Sequence, residues 1–172
     1  MILSGFDAIV SKNVKIVILG SMPSTTSLSK TQYYAHPQNS FWYIMESLFS
    51  NETNLNYPNR LKLLENHNIA VWDVLKNCVR SGSMDSSIEK HSMIANDFNA
   101  FYTTYPTIKS VFFNGTKSET EYKKQVIPDL PPKFAQLKSI RLPSTSPAMA
   151  TLKPLEKLKH WAIIKTCLND MI

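Results

Sequence analysis

The chain has 172 residues, 43% of them hydrophobic and 19% charged, which suits one folded domain and excludes a disordered or collagen-like chain. Its two cysteines, Cys78 and Cys167, are too few for a cysteine-ligated iron–sulfur cluster or a four-cysteine zinc site. They show no CxxC spacing and are expected as reduced core thiols. The net charge of +6 gathers in the last third, from Lys109 through Lys117, Lys123, Lys124 and Lys133 to Lys165, and suits either a polyanionic partner or a solvated lysine-rich face.

Val14–Leu19 is a β-branched and aliphatic run ended by Gly20, which predicts a buried strand. Gly20-Ser21-Met22-Pro23-Ser24 then leads into a long loop, Thr25–Gln38. A helix is predicted over Asn39–Phe49, with Asn39 or Ser40 as its cap and Phe41, Ile44, Met45 and Leu48 as its apolar stripe. Pro58–His67 reads as a second short helix, Ala70–Leu75 as a second strand, and Asp73–Asp85 as the connection that follows. Ser92–Tyr105 is predicted as an amphipathic helix stopped by Pro106. Ile108–Phe113 is the third strand, closed by Asn114-Gly115; a charged helix, Lys117–Val126, follows, and Ser139–Leu142 makes a fourth strand ending at Pro143. Pro154 opens the last helix, with Leu155, Leu158, Ala162 and Leu168 expected to face inward. Strands alternating with helices predict an α/β fold, a three-layer αβα sandwich around a central four-stranded parallel sheet, as one domain over residues 1–172.

Met1–Lys12 lacks a basic stretch followed by an apolar core, so no secretory signal is expected. No apolar run approaches the roughly 20 residues of a membrane span. A soluble, cytoplasmic protein, monomeric and without a membrane partner, is the expectation.

Open α/β sheets bind ligands outside the carboxyl ends of their strands, and the sequence oddities fall there. Gly20–Ser24 follows strand one, Arg80-Ser81-Gly82-Ser83 strand two, Asn114-Gly115 strand three, and Pro143-Ser144-Thr145-Ser146-Pro147-Ala148 strand four. Turn preference accounts for the glycines and prolines. It does not account for Tyr33-Tyr34-Ala35-His36-Pro37-Gln38-Asn39-Ser40-Phe41-Trp42, where aromatics interleave with amides. A phosphate-binding GxxxxGK[ST], a dinucleotide fingerprint, HExxH and GxSxG are all missing, and His36, His67, His91 and His160 lack metal-ligand spacing. Phosphate would then be held by backbone amides, lysines and the hydroxyl-rich loops Ser24–Ser29 and Ser144–Ser146.

At Gly20-Ser21-Met22-Pro23, the Tyr33–Trp42 block and Leu142–Ala148 the chain resembles the uracil-DNA glycosylase superfamily, and within it the hypoxanthine-DNA (deoxyinosine) glycosylase family. Trp72-Asp73-Val74 with Arg80, Gly82-Ser83 and Asp85, then Phe113-Asn114-Gly115, are similar to that family too. The resemblance implies hydrolytic, cofactor-free and metal-free removal of deaminated bases from DNA in base excision repair, with hypoxanthine first and uracil or xanthine as alternatives. It implies that Tyr34 stacks on the flipped base, that Gly20, Ser21, Met22 and Pro23 form the loop where relatives carry an acidic or amide water activator, and that Asn39 compensates for its loss; His36 is either a helper at the base or a hydrogen-bonded structural histidine. By the same resemblance Asn114 reads the base, and Ser144, Thr145 and Ser146 belong to a loop that presses on the minor groove and pinches phosphates. The family's usual glycine after Pro23, its arginine at position 38 and a histidine of many superfamily members in the last loop are replaced here by Ser24, Gln38 and Ser144.

The chemistry agrees with these residue types. A glycosidic bond breaks through an oxocarbenium-like sugar, the nucleotide must leave the stack, and amide donors stabilise charge on the departing base. An asparagine cannot accept a proton near neutral pH, so Asn39 is assigned to positioning water; the alternative is that it only caps the helix. Asn114 is the candidate donor, or else part of a turn. Two other functions remain open at this stage, a DNA-binding module without catalysis and a hydrolase of free nucleosides.

Overall fold

Ile16–Gly20 forms a strand with every residue buried, and in the computed structural model, which describes residues 1–172, the rest of the fold is laid around it. The strands are β1 (Ile2–Ser4), β2 (Ile16–Gly20), β3 (Ile69–Asp73), β4 (Leu75–Val79), β5 (Ile94–Ala95), β6 (Ser110–Asn114) and β7 (Lys138–Leu142). The helices are α1 (Thr25–Lys30), α2 (Phe41–Phe49), α3 (Tyr57–Asn66), α4 (Phe98–Thr104), α5 (Thr116–Glu121), α6 (Pro132–Ala135), α7 (Pro154–Trp161) and α8 (Ile163–Asn169). Four strands make a parallel sheet in the order β3-β2-β6-β7.

The alternation of side chains along β2 builds two cores, because neighbouring residues of a strand point to opposite faces. Ile16 and Ile18 join Phe41, Ile44, Met45, Leu64, Phe112 and Trp161 under α2, α3, α7 and α8. Val17 and Leu19 join Val111, Phe113, Phe98, Tyr102 and Tyr122 on the other face. Both faces being covered explains why β2 reads as a continuous apolar run. The α/β sandwich with a four-stranded parallel sheet is as the sequence predicts, and Cys78 and Cys167 are free and buried. No helix is long and apolar enough to cross a membrane.

Several boundaries differ from expectation, each for a local reason. A second, antiparallel sheet, β1-β4-β5, occupies the stretch expected as a plain connection after strand two. It also takes Ile94–Ala95 from the predicted Ser92–Tyr105 helix, which starts only at Phe98, where Asp97 accepts a hydrogen bond from the Ala100 N–H. The predicted loop Thr25–Gln38 contains α1, capped by the Ser24 hydroxyl accepting from the Ser27 N–H. Ser24–Ser29 is therefore largely helix rather than loop. The predicted Lys117–Val126 helix widens into a π-helical turn at Tyr122–Val126, and the last helix breaks at Ala162. Leu155, expected inside, is 57% exposed, because it sits in the first turn of α7 beyond the core.

The parallel register lines up the carboxyl ends. Gly20 pairs with Asp73, Leu19 with Phe113, and Asn114 with Leu142, so three polar or side-chain-free positions end neighbouring strands at one edge.

Candidate active site

A cavity of about 760 Å³ opens at that edge, within the range of small-molecule sites. The residues assigned to the site from the sequence all line it: Gly20, Ser21, Met22, Pro23, Tyr34, His36, Asn39, Asn114, Ser144, Thr145 and Ser146. Asp73, Ser83, Met84, Asp85 and Met149 line it as well.

The Gly20–Pro23 loop is stitched to the segment around β4. The Gly20 and Ser21 carbonyls accept from the Val74 and Leu75 N–H groups at 2.9 and 3.1 Å. Ser21 Oγ donates to Asp85 Oδ1 at 2.6 Å, and Arg80 Nη2 donates to the Pro23 carbonyl at 2.6 Å. Met22 is only 7% exposed and packs into one core.

Tyr34 adopts a left-handed backbone, φ 54°, unusual for a bulky residue. Its neighbour Tyr33 is anchored in the core, with Trp42 Nε1 donating to the Tyr33 carbonyl at 2.8 Å and the Tyr33 hydroxyl donating to the Asp7 carbonyl at 3.1 Å. The Tyr34 ring stacks on Phe41, centroids 3.9 Å apart and planes 20° from parallel. Its hydroxyl is buried and finds no hydrogen-bond partner; Asn114 lies beside it without meeting it in hydrogen-bond geometry. Burial, reinforced by the nearby Asp73, pushes the phenol far above its ordinary range, so it stays a neutral donor.

Asn39 precedes α2. Its Oδ1 accepts from the Phe41 N–H at 3.0 Å, a capping bond of the kind expected before a helix, while Ser40, the residue at the cap position, makes no such bond through its side chain. His36 Nδ1 accepts from the Gln38 N–H at 3.2 Å, and the His36 carbonyl accepts from the Asn39 N–H at 2.9 Å.

Asn114 and the last loop are clasped together. Thr145 N–H donates to Asn114 Oδ1, and Asn114 Nδ2 donates to Thr145 Oγ1, both at 2.9 Å. This leaves one N–H of the Asn114 carboxamide uncommitted. Gly115, at φ 92°, makes the tight approach possible: a Cβ there would lie 2.9 Å from Ser144 Cβ. The Thr145 carbonyl accepts from both the N–H and the hydroxyl of Ser40. Behind the loop, Lys157 donates to the Ser146 carbonyl at 3.0 Å and Trp161 Nε1 to the Pro143 carbonyl at 2.9 Å. Ser144 Oγ and Ser146 Oγ accept from the N–H groups two residues on, which fixes the loop's turns.

Asp73 and Asp85 were present in the sequence motifs but carried no assigned role. Asp73 is 4% exposed and its Oδ2 has no hydrogen-bond partner. Burial, with the charge of Asp85 adding to it and Arg80 opposing, pushes its carboxyl up to about 7. Burial also raises Asp85, against the Ser21 hydrogen bond and the charges of Arg80 and Lys117. The signal available in sequence was an acid at the carboxyl end of a fully apolar run, Ile69–Trp72.

Fold and cavity together define an α/β enzyme with its pocket at the carboxyl edge of a parallel sheet. Residues 8–167 match the family model of the uracil DNA glycosylase superfamily, and the chain belongs to that superfamily: it is a DNA glycosylase. Two proteins named hypoxanthine DNA glycosylase are each 39% identical to it. The one from Methanosarcina barkeri aligns over 115 residues, 66% of this chain and 72% of the relative. The one from Methanosarcina acetivorans aligns over 119 residues, 69% of this chain and 74% of the relative. A solution NMR structure from Methanosarcina acetivorans, provisionally assigned as a uracil DNA glycosylase, superposes with a TM-score of 0.80 at 33% identity, covering 98% of this chain and 99% of that one.

Proposed function

We propose that this glycosylase hydrolyses the N-glycosidic bond of deoxyinosine in DNA, releasing hypoxanthine and leaving an abasic site for base excision repair. The observation that carries the proposal is the convergence of Tyr34, Asn39 and Asn114, from three separate stretches, on one cavity. The two relatives named hypoxanthine DNA glycosylase support the choice of base.

In this mechanism the nucleotide swings out of the duplex and its base lies on the Tyr34 ring, whose opposite face is already covered by Phe41. The free N–H of Asn114 donates to the base carbonyl, where negative charge collects as the bond lengthens; one such donor contributes about 3 kcal/mol in other enzymes. Asn39 holds the attacking water with its Nδ2, its Oδ1 being engaged by Phe41. Because the sugar is already cationic when water arrives, orientation suffices and no strong base is required. The Ser144–Ser146 loop, stiffened by Asn114 and Lys157, bears on the DNA backbone. The reaction needs no Schiff base, so the strand stays intact until treated with alkali.

Duplexes carrying one deoxyinosine, deoxyuridine or deoxyxanthosine, incubated with the protein and then with alkali, test this directly. Strand breaks at deoxyinosine are expected. Binding to all three duplexes with no base released, or faster cleavage of free deoxyinosine than of the duplex, would favour one of the two other functions considered from the sequence.

A further inference from the structure

The hydrolysis proposed above leaves one cavity carboxyl without a task. Asp73 ends β3, lines the cavity, is 4% exposed, and keeps Oδ2 buried with no hydrogen-bond partner. None of the ion pairs includes it. Across from it, position 20 is glycine: a Cβ there would lie 2.5 Å from Asp73 Oδ1 and 3.1 Å from the Tyr34 hydroxyl. The missing side chain is what leaves room for the carboxyl beside the aromatic ring. An unpartnered buried polar atom is unfavourable unless a ligand completes it.

We propose that Asp73 is a further catalytic residue, a proton-bearing carboxyl that protonates the base as it departs. As the C1′–N bond breaks, its electron pair leaves with the base, and the Asp73 O–H proton passes to a ring nitrogen or carbonyl oxygen of that base. Water oxygen bonds to C1′, and the proton the water loses restores the Asp73 carboxyl. The products are a neutral base and an abasic sugar, with no oxidant, reductant or metal required.

The second cavity carboxyl identifies which of the two keeps the proton. Asp85 accepts from Ser21 Oγ at 2.6 Å and lies in the fields of Arg80 and Lys117, all of which favour its ionised form. Asp73 has no donor. The groups that act on it are Asp85 and Arg80, from the segment after β4, and burial dominates both, so its carboxyl titrates near neutrality. The Tyr33 and Tyr34 phenols facing it are neutral. Burial raises both carboxyls, but Asp85 has a donor and two cations opposing the rise while Asp73 has only Arg80 and the added charge of Asp85, so the proton stays on Asp73.

Because this step is built on the proposed glycosylase function, the test separates the two. Single-turnover release of hypoxanthine from a deoxyinosine duplex should be fastest below about pH 7 and decline above it, as Asp73 loses its proton. Asp73→Asn should be slower by about 100-fold or more at pH 6 and should lose the declining limb. Its binding to a duplex bearing 2′-fluorodeoxyinosine, which resists cleavage, should match the wild type, and that binding also reports a folded variant. A wild-type rate that does not decline above pH 7 overturns the acid role without any substitution. So does an Asp73→Asn variant that binds the analogue and turns over like the wild type. A variant whose rate and analogue binding fall together overturns it in favour of base recognition. Wild-type protein that releases no base from any of the three duplexes overturns the glycosylase function, and this step with it.

Discussion

At Asn39 the carboxamide oxygen holds the first turn of α2 through Phe41, and the proposed mechanism assigns its nitrogen to the attacking water. Asn39→Asp keeps the acceptor and should fold normally, whereas Asn39→Ala should lose about 1 kcal/mol of stability, the usual value of a lost cap. Asn39→Ala should also slow base release by about 100-fold or more while duplex binding persists, as measured by single-turnover kinetics beside a filter-binding assay. Asp73 imposes a different signature. Its folded-state proton affinity is raised to about 7, well above that of an unfolded aspartate, so the native state holds the proton more tightly. Stability from this group is full below about pH 4 and is lost as pH rises through 7. Asp73→Asn should therefore melt close to the wild type at pH 4 and higher than it at pH 8, by about 2 kcal/mol or more in urea titrations.

At the scale of elements, β2, β6 and the αβα layering were legible because both faces of these strands are buried, which leaves an apolar run bounded by Gly20 or Asn114. The β1-β4-β5 sheet was not legible. Burial along β4 does not alternate, Leu75 and Cys78 being buried three residues apart with Lys76 exposed between them and the register with β5 shifting between Leu75 and Asn77, and its partner strands have three residues and two, too short for any period to register. Helix α1 was hidden because Ser24-Thr25-Thr26-Ser27 has low helical propensity; the Ser24 cap and the packing of Ser27, buried in the fold, override it. The sequence pointed to the stretches that meet at one cavity, since strand ends mark the binding edge, but not to the mutual bonding of Asn114 and Thr145, which depends on a contact 31 residues apart. Thr145→Val keeps the shape of this residue while removing the acceptor of Asn114 Nδ2. It should cost about 1 kcal/mol, the net value of a lost part-buried hydrogen bond, and should slow base release more than it weakens duplex binding.

Over the whole molecule, the proposed function assigns long-range attraction to DNA to the basic last third and selection to the cavity. Binding to an undamaged duplex should weaken linearly on a plot of log affinity against log salt, with a slope near −0.9 per phosphate contacted. Replacing the exposed Lys153, which caps the start of α7 just past the last loop, with alanine should shallow that slope by about one unit if it touches a phosphate, and equilibrium titration by fluorescence anisotropy measures it. The Thr145 carbonyl adds a consequence that belongs to no single part. By accepting from both the N–H and the hydroxyl of Ser40, it rivets the strip that would enter the groove to the residue next to Asn39. In the proposed mechanism this makes a push from the duplex on that strip bear directly on the amide that holds the water, joining grip on the substrate to readiness for attack.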